Sequence, residues 1–399
     1  MQTVAALGTA QTLAWASSYY LPAMLATPMA RELGVSVPTV FAAFSAALVV
    51  SALLGPYAGR AIDRWGGRPV LAATNVVFAL GLAALSAASG PVGLFAAWIV
   101  LGIGMGSGLY EAAFAALVRL YGRSSRDTIT GITLIAGFAS TIGWPLSALL
   151  EAQFGWRGAC LAWGAFHMLL GLPLNAMLPN APPAEAPMQH GDVTPHAIRD
   201  AEPPHPQRVA VLLAFVFAAT WFVSTAMAAH LPRLLQAGGA TLAAAVAAGA
   251  LVGPAQVGAR MLEYGVLRRL HPLLSARLAT LMHPLGALVL TLLGAPAAAA
   301  FTILHGAGNG ILTIAKGTLP LVLFGPHGYG ERQGVLMVPA RVAQAFAPWL
   351  FGLCLDRWGA GALALSATLG FAAFAALMLL PRGTAAEARP ASAAASPSS

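Results

Sequence analysis

The sequence predicts an all-α membrane protein, twelve transmembrane helices arranged as two pseudo-symmetric six-helix bundles. Three observations predict it. The 399-residue chain is 58% hydrophobic and only 9% charged, with a mean hydropathy of +0.75, more apolar surface than a soluble domain of this length hides. Apolar runs of about 20 residues recur, the length a helix needs to cross a ~30 Å hydrocarbon core with its backbone satisfied internally. The short breaks between them alternate between arginine-rich and arginine-poor, as the positive-inside rule requires.

Taken in order, the first span, 5–28, follows an N-terminus without a basic n-region or cleavage site, so it is expected to insert uncleaved. Spans 38–58 and 69–90 flank a segment crowded with Gly and Arg, Gly55 to Pro69. Span 93–118 carries the ladder Gly104, Gly106, Gly108; span 129–152 holds Gly131 and Pro145; span 157–178 follows Gly155-Trp156-Arg157. The second series is 208–231, 241–262, 275–293, 296–324, 333–355 and 360–381. Its fourth member carries Gly306, Gly308 and Gly310, and its fifth Gly334 and Pro348, the same 14-residue spacing as Gly131 to Pro145. An acid and then a glycine follow each proline: Glu151 and Gly155, Asp356 and Gly359. Order and spacing predict a repeat, with bundles at 1–178 and 208–382. Residues 179–207, rich in Pro, His, Ala and acids, read as a cytoplasmic linker, and 383–399 as a disordered Ala/Pro/Ser tail.

Arginine placement supports the count. With both termini inside, cytoplasmic segments hold 15 basic residues (Arg60, Arg64, Arg68, Arg119, Arg123, Arg126, Arg199, Arg208, Arg260, Arg268, Arg269, Arg277, Arg332, Arg382, Arg389). Outside segments hold 4: Arg31, Arg157, Arg233 and Arg357. Scattered over short loops, they form no nucleic-acid patch despite a net charge of +8. Cys160 and Cys354 lie in apolar spans without metal-ligand spacing and read as small hydrophobes.

The pattern Gly59-x-x-x-Asp63-Arg64-x-Gly66-x-Arg68 resembles the signature loop between the second and third helices of the major facilitator superfamily. The resemblance runs over residues 5–381 and implies a transporter whose helices one, four, seven and ten line a central cavity, with this loop gating the exchange between inward- and outward-open states. Gly155-Trp156-Arg157-Gly158-Ala159 is similar to a Gly-Trp-Arg segment frequent in the monocarboxylate porter and cyanate-permease-like branches. Arg260 lies near where monocarboxylate porters place a substrate arginine; the alternative is that it pairs with Glu263 in the following loop. Drug/proton antiporters usually carry an arginine where Trp98 stands here, and Gly-Pro-x-x-Gly-Gly where Gly143-Trp144-Pro145-Leu146-Ser147 stands. Both departures weigh against multidrug efflux.

Polar groups within spans are costly and therefore informative. Lys316 is the sole lysine; His305, Asn309, Thr313 and Lys316 follow helical spacing on one face of span ten. Either they line a wet cavity, or Lys316 snorkels or forms a fixed ion pair. Glu111 reads as the one carboxylate clearly inside a span. Aligning the glycine ladders places Glu111 opposite Thr313 and Lys316 opposite Phe114, so that Glu111 and Lys316 project towards the pseudo-two-fold axis; Glu111 is then either a proton-coupling residue or half of a structural salt bridge. Arg341 in span eleven needs an anionic partner, Glu111 or a ligand. Span one offers Gln11, Trp15 and Tyr19 on one face and span seven offers Trp221, all expected to line the cavity.

Two interior cations against one interior acid leave a charge that an anionic substrate would fill. The reading is therefore a proton-linked secondary transporter of a small organic anion such as a carboxylate, the alternative being a proton-antiport exporter of an amphipathic metabolite or drug-like compound. An enzyme would need a nucleophile, a metal cluster or paired carboxylates, and none has the required spacing. The expected partners are substrate, protons and lipid, with no cofactor, metal or nucleic acid. The chain is expected to be monomeric, in the bacterial cytoplasmic (inner) membrane, with both termini in the cytoplasm.

Overall fold

The computed structural model describes residues 2–180, 203 and 205–381. The linker expected at 179–207 and the tail at 383–399 lie almost wholly outside the described residues, as do Arg199, Arg382 and Arg389.

The regular elements among the described residues are all helical and resolve into twelve crossings. Helix 1 is Gln2–Ser17 continued by Leu21–Leu33, helix 2 is Val37–Trp65 and helix 3 is Gly67–Ala87. Helix 4 is Pro91–Gly108 continued by Tyr110–Tyr121. Helix 5 is Arg126–Ala136 continued by 139–154, and helix 6 is 156–176 with a π-helical turn at His167–Gly171. The second six are Pro206–Ala237, Leu242–Gly249 continued by Val252–Gly265, Pro272–Leu293, Ala298–Phe324, Tyr329–Trp358 and Leu363–Met378, helices 7 to 12.

Length and apolarity alone mark eight candidate spans, because neighbours run together: Pro91–Ala176 covers 86 residues and Tyr329–Met378 covers 50. An unbroken 86-residue helix would extend about 130 Å at 1.5 Å per residue, several times the hydrocarbon core. The 3₁₀ turn at Gly122–Ser125 and the kink at Gly155 divide the longer stretch into three crossings, and Gly359–Ala362 divides the shorter into two. Helix 1 escapes such a count because its two halves have only 16 and 13 residues.

The structure corrects two expectations. Gly55 to Pro69 is for the most part helix, not loop. Helix 2 runs through Gly59, Asp63 and Arg64 to Trp65, and the turn is a single residue, Gly66, at φ 84° and ψ 164°, backbone angles that side chains disfavour. The second correction is the register of the repeat. Gly102 and Gly106 press on Ala47 and Ser51 of helix 2, as Gly306 and Gly310 press on Val252 and Gln256 of helix 8. Gly104 faces Phe78 of helix 3, as Gly308 faces Ala279 and Met282 of helix 9. The equivalent ladders are thus 102-104-106 and 306-308-310. Glu111 stands opposite Ala315 rather than Thr313, and Lys316 opposite Ala112 rather than Phe114.

Contacts between the halves run antiparallel along helices 2 and 11. Gly59 meets the backbone of Gly330 and Gly55 that of Gly334, and a Cβ at Gly59, Gly330 or Gly334 would overlap the opposing main chain. Further along, Ser45 Oγ donates to the Ala345 carbonyl at 3.4 Å. Helices 4 and 5 add contacts to helices 8, 10 and 11 through their second and first halves respectively, on the membrane face that carries the chain ends.

Candidate functional site

Helix 4 breaks at Leu109, whose ψ of −167° is extended, and restarts at Tyr110. The break frees the Gly108 carbonyl, and Gln11 Nε2 of helix 1 donates to it at 2.7 Å. Glu111 therefore sits in the first turn of a new half-helix, where unpaired N–H groups and the helix dipole favour a carboxylate. Its partner is Arg341: Nη2 donates to Glu111 Oε2 at 2.8 Å, the two side chains being 3% and 15% exposed. Arg341 Nη1 donates to Gln344 Oε1 at 3.0 Å, and Gln344 Nε2 donates to the Tyr19 hydroxyl at 2.8 Å. One hydrogen-bonded chain thus joins helices 1, 4 and 11 across both halves.

Lys316 is not the partner of Glu111, contrary to the sequence alignment. Its Nζ lies 3.9 Å from the centre of the Trp221 ring, and the Arg341 guanidinium lies 5.4 Å from the same ring. Trp15 stacks on Trp221 at 6.4 Å and packs edge-on to Tyr19 at 5.2 Å. A desolvated cation over an aromatic face gains about 2 kcal/mol. Lys316, 4% exposed, has no carboxylate in ion-pair range among the described residues. Trp15, Tyr19, Trp221, Glu111, Lys316 and Arg341 are thus brought together.

His305 and Asn309 are not. They face a small cavity between helices 7, 9, 10 and 12, away from this cluster. Gln11, expected to line the cavity, instead clamps the helix 4 break.

Sequence reasoning also undervalues Arg260 and Glu263: Arg260, at the end of span 241–262, counts there with the cytoplasmic residues, and Glu263 falls in the loop beyond, where helix 8 in fact continues to Gly265. Arg260, 5% exposed, donates through Nη1 to the Thr133 carbonyl of helix 5 at 3.0 Å and through Nη2 to Thr313 Oγ1 at 3.5 Å. It does not pair with Glu263, which bonds Arg126 at 3.0 Å across the halves. Arg260 is a second buried cation with no acid partner among the described residues, and Glu263, 3% exposed, is a second buried acid.

The signature residues form a latch at the face of the chain ends. Asp63 accepts from the backbone N–H of Gly330 at 2.9 Å and of Glu331 at 2.9 Å, capping helix 11 from the other half. Arg60 pairs with Glu331 at 2.5 Å, both side chains nearly half exposed, so the capping bonds matter more. Gly66 makes the turn, Arg64 points outward, and Arg68 bonds Asn180 at 3.1 Å. Asp63→Asn keeps the shape but loses the charge at a helix N-terminus, so about 1 kcal/mol of latch stability should go. Transport turnover should change with substrate affinity nearly intact; an affinity loss in a normally folded variant would place Asp63 in the binding site instead.

The sequence profile of the Major Facilitator Superfamily matches residues 7–301. An uncharacterised 38 kDa protein of Thermoproteus tenax is 28% identical over 365 residues, 90% of each chain. Human monocarboxylate transporter 11 is 33% identical over 148 residues, 35% of this chain and 30% of that protein. Among solved structures, the human organic anion transporter MFSD10 (TETRAN) superposes with a TM-score of 0.69 at 17% identity, covering 94% of this chain and 98% of that one. The proton:xylose symporter XylE superposes at 0.73 with 13% identity and 95% of both chains. With twelve crossings, a latch between helices 2 and 11 and a charged cluster between the halves, this chain is a multi-pass membrane protein that belongs to the Major Facilitator Superfamily, a family of transporters rather than enzymes.

Proposed function

We propose that the chain is a secondary active transporter that carries a small organic anion, a carboxylate above all, in symport with a proton. The observation that carries this reading is an imbalance of buried charge. Arg341, Lys316 and Arg260 are all within 5% of full burial, and Glu111 is the acid that reaches one of them. Unpaired buried cations are expensive, and an entering carboxylate supplies the missing partner. Arg341 and Arg260 suit such a ligand as forks, Lys316 as a point charge. Glu111 is the proton-coupling residue of this reading: a carboxylate substrate competing for Arg341 releases Glu111 to take up a proton. The likeness to a monocarboxylate transporter and to an organic anion transporter supports the same substrate class.

With the chain ends in the cytoplasm, as the arginine bias implies, the latched face is the cytoplasmic one and the two halves rock about the Trp221 cluster. A bacterial inner-membrane location and action as a monomer complete the proposal.

The test is a thermal-shift screen of the purified protein against small carboxylates, amines and neutral sugars at two pH values. Carboxylates should stabilise it. Arg260→Gln and Lys316→Met should each weaken that binding about 10- to 100-fold, the equivalent of a charged hydrogen bond of ~1.5–3 kcal/mol. Arg260→Lys should rescue only in part. Stabilisation by amines or sugars alone, or full carboxylate binding by both variants, would remove the anion reading.

A further inference from the structure

Helices 7, 9, 10 and 12 line a small, mostly apolar cavity of about 30 Å³, whose polar groups come from Thr220, Ser224, Thr280, His283, His305 and Asn309. That is room for one or two waters. Its wall holds a chain of three side chains. Ser366 Oγ donates to the Leu363 carbonyl at 3.0 Å, His283 Nε2 lies 2.9 Å from Ser366 Oγ, and His283 Nδ1 lies 3.0 Å from His305 Nδ1.

The proton positions follow from one assignment, that of the Ser366 hydroxyl. With its one hydrogen given to the Leu363 carbonyl, which only accepts, Ser366 accepts from His283 Nε2–H. A neutral His283 then offers a lone pair at Nδ1, which accepts from His305 Nδ1–H. Nε2 of His305 is left as a bare base with no described protein partner, in a residue that lines the cavity.

The first half carries a contrasting histidine. His167 is fully buried, and both its nitrogens are engaged, Nε2 with Ser17 Oγ at 2.7 Å and Nδ1 with Asn75 Oδ1 at 2.9 Å. Each of its nitrogens already has a protein partner. His305 has both a free nitrogen and space beside it.

We propose that His305, backed by His283 and Ser366, is a second proton-binding site of the transport cycle, loaded at Nε2 from the cavity; this rests on the proton-linked reading above. The proton comes from the bulk solution, relayed by a cavity water that receives one proton as it passes one to Nε2, and the imidazolium formed donates Nδ1–H to His283 and Nε2–H to a cavity water that Thr220, Ser224 and Asn309 can hold. At 3.0 Å the ring pair takes one added proton, because two would set N–H against N–H.

The charged and titratable surroundings are sparse. On helix 9, Arg277 turns to the Leu377 carbonyl at 2.9 Å; on helix 7, His230 turns to the Pro348 carbonyl at 2.7 Å. On helix 10, Lys316 is eleven residues on, about 16 Å along the axis. From helix 8, Arg260 reaches the same helix at Thr313. Thr220 and Ser224 flank Trp221, and Asn309 lies between His305 and Lys316 on helix 10. A charge placed at His305 therefore loads the same two helices that hold the Trp221 cluster.

The experiment has two parts. Histidine-labelled wild-type protein in micelles is titrated over roughly pH 5 to 8 by nitrogen NMR, with the His305 signal identified by its loss in His305→Gln. Nε2 of His305 should pass from bare to protonated in a one-proton step shared with His283, and Ser366→Ala should change the tautomer. In liposomes with labelled lactate as probe, His305→Gln should lose the pH dependence of uphill uptake while keeping counterflow at equal pH. A His305 ring that stays neutral throughout, or a variant with the wild-type pH profile, overturns the proposal. A wild type without proton-linked lactate uptake removes the parent reading, and the titration still decides the site.

Discussion

Arg341→Met should cost the folded protein about 3–5 kcal/mol, the usual penalty for stripping a buried charge of its partner. It leaves Glu111, 15% exposed, facing no other cation within ion-pair range among the described residues. It also unhooks Gln344, which Arg341 orients towards the Tyr19 hydroxyl. Adding Glu111→Gln should return most of the loss, because the stranded charge is gone. Thermal unfolding of the two single variants and the double variant in detergent checks this. Losses that add to within ~0.5 kcal/mol would mean that the pair does not act as a unit. Lys316→Met differs in kind: it removes a cation from the Trp221 ring but strands no acid, so it should fold and fail in binding.

Gly59→Val should all but stop turnover while leaving the protein folded. A Cβ at position 59 would coincide with the backbone carbonyl of Gly330, and backbone cannot rotate aside as a side chain can. Over-packing costs about 1–3 kcal/mol, and the upper end shifts the two states of the latch by roughly 100-fold. The shift favours the state in which helices 2 and 11 part at the face of the chain ends. Spin labels at the ends of these helices should report a longer distance in the variant. An unchanged distance together with wild-type turnover would show that the seam does not close during the cycle.

How much of this was legible in the sequence follows from what each feature costs. Twelve crossings were legible because hydrocarbon enforces helix length, and charges such as Glu111, Lys316 and Arg341 stood out because they are costly there. The pairing among those charges was not. Span four holds four glycines at alternate positions, Gly102 to Gly108, against three in span ten, so the ladders align in two ways. A slip of two residues turns a helix by about 200°, enough to exchange the partner of Glu111. The helix breaks were invisible for another reason. The break at Leu109 frees one carbonyl, and a single remote amide, Gln11, satisfies it without any dip in hydropathy. His305 and Asn309 share a face as their spacing predicts, but a face can look into its own bundle as readily as towards the axis.

The repeat sets Gly55 of helix 2 opposite Arg260 of helix 8, and the two seams between the halves differ accordingly. Along helices 2 and 11, bare backbone meets bare backbone. Dispersion between such surfaces fades within an ångström of separation, so once the Asp63 capping bonds at its end break, this seam should let go abruptly. Along helices 5 and 8, Arg260 spans the gap with a long arm to the Thr133 carbonyl and can follow it as it recedes. One seam behaves as a snap fastener and the other as a tether. In the cycle proposed above, the halves should part first at the fastener and swing on the tether, rather than separate evenly along both edges.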